Sequence, residues 1–205
     1  MSNQDFFEAV YASGHGAENA ALYDEWAGSY DDALDGVGYA TPARVAQALA
    51  EAGADKAAPV LDFGCGTGLS GAALKAEGFA AIDGWDVSQG MLDVAAKKGV
   101  YRALALIDPE ATDFAPVADY PAVVATGVIG AGAAPLSVFD GIMEALPSGG
   151  LLAFSYNDHT LQDPAYEARV NEWLDCGGAE LLSREHGDHL PGLGLGAVVY
   201  ALRKR

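Results

Sequence analysis

From Pro59 to the end of the chain, short apolar runs alternate with longer stretches whose apolar residues recur at helical spacing. The runs predict strands over Val60–Phe63, Ala81–Trp85, Arg102–Leu106, Ala122–Ala125, Leu151–Tyr156, Ala179–Glu185 and Ala197–Leu202. The stretches between them predict helices over Leu69–Glu77, Gln89–Lys98, Leu136–Ala145 and Tyr166–Asp175. Strands buried along their length and separated by helices imply an α/β fold with a doubly wound, mostly parallel sheet. Only a loop rich in Gly, His and Pro (His186–Gly196) separates the last two strands. It leaves no room for a crossover helix, so they are expected as antiparallel neighbours in a seven-stranded sheet. Before the sheet, residues 22, 23, 26, 27 and 30 fall on one helical face, and a second helix is expected over Pro42–Gly53 with Thr41 as its N-cap. That aromatic face either packs on the sheet or forms a lid over the carboxyl ends of the strands, where open α/β folds bind ligands. The expected organisation is one domain over 1–205: an N-terminal helical segment, 1–57, and an α/β core, 58–205.

The pattern changes character at Val60-Leu61-Asp62-Phe63-Gly64-Cys65-Gly66-Thr67-Gly68. An apolar strand runs into an acidic residue, three alternating glycines and then a helix. Glycine permits positive φ and lets backbone lie directly against a ligand. A second acidic residue, Asp86, closes the next strand, about where a ribose diol is held in nucleotide-binding sheets. A dinucleotide fingerprint needs a third glycine at position 69, which is Leu69. Asp62 before the turn would repel a pyrophosphate and suit a ligand with a cationic end. Asp-x-Gly-x-Gly-x-Gly resembles motif I of class I S-adenosylmethionine-dependent methyltransferases.

Composition narrows the partners. The 205 residues include 11 Lys and Arg against 29 Asp and Glu, a formal charge of −18, which argues against a nucleic-acid backbone as the main partner. Half the residues are hydrophobic, which excludes a disordered chain. Cys65 and Cys176 suggest neither a disulfide framework nor a metal site. No apolar run approaches the ~20 residues of a membrane span, and the N-terminus lacks the pattern of a secretory leader, so a cytoplasmic protein is expected. Nothing in the sequence specifies an oligomeric state.

Further segments extend the resemblance: Tyr23-Asp24-x-Trp26-Ala27-x-x-Tyr30-Asp31, Gly84-x-Asp86-x-Ser88-x-x-Met91-Leu92 and Lys98-Gly99-Val100-Tyr101. With motif I they look like methyltransferase-like proteins of the Williams–Beuren syndrome chromosomal-region type, within a broader group that includes quinone C-methyltransferases. The resemblance implies a Rossmann-like sheet of seven strands with the last antiparallel, S-adenosylmethionine as cofactor and S-adenosylhomocysteine as product. By position it implies that Asp62 and the turn of Gly64, Cys65, Gly66 and Gly68 hold the methionine end. Asp86 is expected on the ribose hydroxyls, Val87 and Met91 on the adenine face, and Ile107 and Asp108 near the adenine amino group. Gly127, after the fourth strand, is expected to let the acceptor approach, with Tyr23 and Tyr30 closing the site.

The segment Thr126-Gly127-Val128-Ile129-Gly130 stands where enzymes acting on base amines or glutamine amides show Asn/Asp-Pro-Pro-aromatic, so a small-molecule acceptor is favoured. His159, after the fifth strand, is the first candidate for a general base, since its ordinary pKa of about 6.5 suits proton removal near neutrality. A metal at His186-Gly187-Asp188-His189 lacks a third ligand. A nicotinamide-dependent oxidoreductase and a non-catalytic cofactor-binding scaffold are the competing functions.

Overall fold

A computed structural model describes residues 23, 24, 26–110, 112–130 and 133–205. Its helices are α1 (Tyr30–Asp35), α2 (Thr41–Glu51), α3 (Leu69–Ala76), α4 (Gln89–Lys98), α5 (Leu136–Ala145) and α6 (Pro164–Asp175). The strands are β1 (Pro59–Phe63), β2 (Ala81–Asp86), β3 (Ala103–Leu106), β4 (Ala122–Ala125), β5 (Leu151–Asn157), β6 (Ala179–Leu190) and β7 (Leu195–Lys204). They form one sheet in the order β3-β2-β1-β4-β5-β7-β6, in which β7 alone runs against the others. The doubly wound, mostly parallel α/β sheet expected from the sequence is therefore the fold. Strand order reverses at β1, between β2 and β4, and a crevice opens at that switch point beyond the carboxyl ends.

Both faces of the central strands are buried, which is why their sequences are continuously apolar. Val45 and Leu49 of α2 and Leu74 of α3 cover Val60, Ile82 and Val124 on one face. Phe139, Ile142 and Met143 of α5 and Val170 of α6 cover Leu61, Val123 and Leu152 on the other. Local signals set the helix limits. Ser88 caps α4 through Met91 N–H at 3.0 Å, and Gly99 ends that helix with φ of 62°. Asp163 caps α6 through Ala165 N–H at 2.9 Å, with Pro164 in the first turn. No helix among the described residues is long and apolar enough to cross a membrane.

Three expectations need correction. The hairpin is much tighter than the expected His186–Gly196 loop: β6 continues to Leu190 and β7 begins at Leu195. His186, Gly187 and Asp188 pair with Val198, Ala197 and Gly196, while the Arg44 guanidinium donates to the carbonyls of Glu185, Asp188 and Ala197. Secondly, Thr41 is the first residue of α2, not its cap; its hydroxyl is engaged 2.7 Å from Nδ1 of buried His189. Finally, the aromatic segment is broken by a turn at Ala27–Ser29 before α1 begins. Trp26, Leu34, Val37 and Leu190 form a small cluster of their own, at the end of β6. Leu22 and everything before it lie outside the described residues.

Candidate functional site

The turn after β1 is shaped by its glycines. Gly64, Gly66 and Gly68 have φ of 70°, 51° and 93°, a region that side chains with a Cβ rarely adopt. Each serves a different neighbour. A Cβ on Gly64 would lie 2.3 Å from a Val128 methyl, and one on Gly68 would lie 3.0 Å from the Tyr101 ring. A Cβ on Gly66 would meet nothing within 4 Å, because Gly66 faces the crevice. The amides of Gly64 and Cys65 both donate to the carbonyl of Trp85, at 2.8 and 3.0 Å, fastening the turn to β2.

Two carboxylates end the strands on either side. Asp86 is 8% exposed; its Oδ2 accepts from Gly66 N–H at 2.7 Å and its Oδ1 from Ser88 N–H at 2.9 Å. Burial raises its pKa, opposed by the amides of Ser88, Gly66 and Val87. Asp62 is fully enclosed beneath the turn. Its Oδ2 accepts from Ser70 Oγ at 2.6 Å and Tyr101 Oη at 2.7 Å, and its Oδ1 has no partner among the described residues. Burial pushes its pKa up to about 6, with the two hydroxyls pulling the other way.

The N-terminal segment is tied over this turn by acidic side chains. Asp24 Oδ1 accepts from Ser88 Oγ at 2.5 Å and Gly90 N–H at 2.7 Å. Asp31 accepts from Thr67 Oγ1 at 2.5 Å and pairs with Lys98 Nζ at 2.5 Å, while Lys98 also donates to the Thr67 carbonyl at 2.7 Å. Tyr23 and Tyr30 lie edge-on, 6.3 Å between centroids, and both face the crevice. Burial, with Tyr23, Tyr39, Asp86 and Asp31 nearby, holds the Tyr30 phenol well above its usual range.

Of the residues singled out in the sequence, Tyr23, Tyr30, Gly64, Gly66, Asp86, Val87, Met91, Ile107, Asp108 and Gly127 line this cavity. Asp62, Cys65 and Gly68 stand behind its wall. Cys65 is buried, its sulfur 2.8 Å from where a Cβ of Gly84 would lie, and burial drives its thiol pKa far up. His159 precedes a single 3₁₀ turn at Thr160–Gln162 and does not line the cavity. Across the hairpin, His186 pairs with Asp158 at 2.8 Å, and no group of metal-ligating side chains occurs among the described residues.

Several further residues complete the wall. Phe63, Trp85 and Phe114 line one side: Phe63 stacks on Phe114 with centroids 6.0 Å apart and meets Trp85 at a tilt of 58°, 6.2 Å apart. Phe63 and Trp85 are register partners at the ends of β1 and β2, so their place follows from strand alignment. Phe114 and Thr126 come from connections whose path no local pattern predicts, and Val138 from the first turn of α5. Tyr101, quoted in the resemblance without a role, has one here: its hydroxyl bridges Asp62 and Gly71 N–H, and its ring occupies the space left by Gly68, Gly71 and Gly84.

A glycine-walled crevice at the switch point, rimmed by carboxylates, coincides with a family match: a model described as a methyltransferase domain matches residues 38–195. The chain belongs to the methyltransferase-domain family. Human methyltransferase-like protein 27 is 32% identical over 164 residues, which are 78% of this chain and 65% of the human protein. This methyltransferase domain also shares its fold with solved structures of low identity. A TehB-like S-adenosylmethionine-dependent methyltransferase from Corynebacterium glutamicum superposes with a TM-score of 0.57 at 19% identity, over 90% of this chain and 99% of that one. The [4+2]-cyclase SpnF gives 0.58 at 18%, over 79% and 80%. A Pyrococcus horikoshii protein described only provisionally as an RNA methyltransferase gives 0.60 at 14%, over 80% and 83%.

Proposed function

We propose that the protein transfers the methyl group of S-adenosylmethionine to a small-molecule acceptor. The observation that carries this reading is Asp86, presented beside the open face of Gly66. The residues present fit such a cofactor: a carboxylate for the ribose diol, an aromatic and aliphatic slot for the base, and backbone without Cβ where the chain must pass closely. The charge also fits, since Asp86, Asp108 and Asp113 line the cavity and no Lys, Arg or His does among the described residues. A cation is attracted into such a wall, and a pyrophosphate is repelled.

The sulfonium of the cofactor supplies an electrophilic methyl carbon and a thioether leaving group. The chain's own task is alignment and exclusion of water. In this reading Asp86 accepts from the ribose hydroxyls with its remaining lone pairs, and Val87, Met91, Ile107 and Asp108 bound the base. Gly64 and Gly66 line the methionine end, with Asp62 buried behind them. Tyr23 and Tyr30, held by the Asp24 and Asp31 contacts, close the cavity from above. An acceptor of small size is supported by the acidic surface and by the absence of Asn/Asp-Pro-Pro-aromatic after β4.

The resemblance to a [4+2]-cyclase favours one second reading, in which the chain binds the cofactor without transferring its methyl group. Calorimetric titration with S-adenosylhomocysteine tests what both readings share. Micromolar affinity, on the order of −8 kcal/mol, is expected; no binding to the intact protein would overturn both. Release of S-adenosylhomocysteine on addition of acceptors separates the first from the second.

A further inference from the structure

Lys98 does not line the cavity, yet three parts of the cavity wall meet at its ammonium. Its Nζ pairs with Asp31 Oδ2 at 2.5 Å and donates to the Thr67 carbonyl at 2.7 Å, while Thr67 Oγ1 donates to Asp31 Oδ1 at 2.5 Å. Asp31 follows Tyr30 and Thr67 follows Gly66, and both Tyr30 and Gly66 line the cavity. Lys98 itself lies two helical turns after Met91, the residue through which α4 lines it. The junction is sheltered: Thr67 is 1% exposed, and the side chains of Lys98 and Asp31 are 22% and 31% exposed. Salt and water screen an ion pair in such a place less than one on an open surface.

The N-terminal segment is thereby fastened to α4 at two places, and the two differ in kind. Asp24 accepts from Ser88 Oγ and Gly90 N–H, neutral donors at the positive end of the helix. Asp31 depends on a cation. With the Lys98 ammonium gone, its side chain keeps only the Thr67 hydroxyl among the described residues, and the Thr67 carbonyl loses the donor that joined it to Asp31. Lys97 supplies the contrast: it is exposed, stands in the same last turn of α4, and makes no ion pair among the described residues. A ligand beneath Tyr23 and Tyr30 leaves only when their segment lifts, and the Asp31 junction is the attachment next to Tyr30.

We propose that Lys98 is a positioning residue: through Asp31 it holds Tyr30 over the cofactor, and through the Thr67 carbonyl it holds the turn below, so that this junction sets how fast the cofactor leaves. This inference rests on the cofactor reading above. The test follows release of tritiated S-adenosylhomocysteine by rapid filtration from the intact protein, Lys98→Met, Asp31→Asn, the double variant and Lys97→Met. Lys98→Met and Asp31→Asn are each expected to speed release at least fivefold, with the association rate not reduced. The double variant should release no more than twofold faster than the faster single variant, because either change breaks the same junction. Lys97→Met removes an equal charge from the same helical turn and should stay within twofold of wild type. Release within twofold of wild type in both single variants overturns the proposal, as do single effects that multiply in the double variant, or a Lys97→Met effect as large as that of Lys98→Met. Thermal midpoints of the ligand-free variants are measured alongside. A junction that serves the fold alone lowers the midpoint and leaves release from folded protein unchanged, which also overturns the proposal. If Lys98→Met does not fold, Asp31→Asn against Lys97→Met decides the matter by the same limits. Failure of the intact protein to bind S-adenosylhomocysteine is seen before any rate is measured, and it overturns the cofactor reading instead.

Discussion

Asp83 and Asp86 lie three residues apart on β2 and expose similarly little surface, 5% and 8%, but Asp86 sits deeper in the protein, and the two are treated oppositely. On the flank of the sheet, Asp83 receives a forked pair of bonds from Arg102, at 2.9 and 2.5 Å, and a third from Tyr120 Oη at 2.9 Å. Arg102 holds its pKa below the ordinary carboxylate value, outweighing burial. At the rim, Asp86 receives amides and no cation, and its pKa is raised. Asp62, next to it on β1, is raised too. Elsewhere Asp158 and Glu167 follow the flank pattern, lowered by His186 and Arg184. Depth and access to a partner divide these carboxylates together: Asp62 and Asp86 lie deep and receive no cation, whereas Asp83, Asp158 and Glu167 have less protein packed around them and sit beside Arg102, His186 and Arg184. The rim is left short of positive charge and donors, the state expected of a wall whose partner is a cationic ligand bearing hydroxyls.

The comparison breaks most visibly through Asp86→Asn. Two charge-assisted bonds to a ribose diol are each worth about 1.5–3 kcal/mol. Loss of the charge is expected to weaken S-adenosylhomocysteine by at least about a hundredfold, or ~3 kcal/mol. Calorimetry reads this directly; Asn has one acceptor oxygen where Asp86 accepts from both Gly66 and Ser88 N–H, so the ligand-free variant is expected to lose about 1 kcal/mol, read from its thermal midpoint. Affinity retained within threefold would sink the ribose assignment.

Asp62→Asn sharpens the comparison, because at this position stability and binding should move in opposite directions. The folded pKa of about 6 lies above the ordinary value of 3.8, so the native state holds this proton more tightly than the unfolded chain. Stability from this group therefore falls as pH rises from about 4 to 6 and stays low above that. Asn removes that penalty but brings an amide N–H₂ in need of an acceptor. The net expectation is a gain of about 1–2 kcal/mol above pH 6 that vanishes near pH 4. Denaturation of ligand-free protein at pH 8 and pH 4.5 checks it. A variant less stable than wild type at pH 8 would mean that the enclosed carboxylate supports the turn rather than straining it.

The rim was readable from sequence because its signal is local. Asp62, the three glycines and Asp86 sit at strand ends that apolar runs announce, and a strand–turn–helix places them without knowledge of anything distant. The last hairpin was not readable in the same way. His186–His189 has the composition of a loop, and it becomes strand through its pairing with β7 and the hold of Arg44 from 141 residues away on Glu185. Thr41 has the sequence of a cap, but buried His189 takes its hydroxyl. Thr126 carries no pattern at all; it meets the cavity from the end of β4. Asp62 shows a further limit: sequence puts it at the strand end, and only the structure puts it under the turn.

Asp83→Asn probes the flank, and its effect should be the smallest of the three. It leaves Arg102 half in water, so the lost attraction is largely screened, and a loss of about 1 kcal/mol is expected at pH 7. The sign with pH is opposite to that of Asp62. A lowered folded pKa gives stability that is present above the unfolded value near 4 and disappears as pH falls through the folded one. Wild type and variant should therefore converge at strongly acid pH, whereas Asp62→Asn converges with wild type already near pH 4. Calorimetry on the same variant should show S-adenosylhomocysteine affinity unchanged, since Asp83 does not line the cavity. If Asp83→Asn weakened the ligand as much as Asp86→Asn, both residues would act through the shape of β2. The difference in their cation supply would then be a matter of folding rather than of recognition.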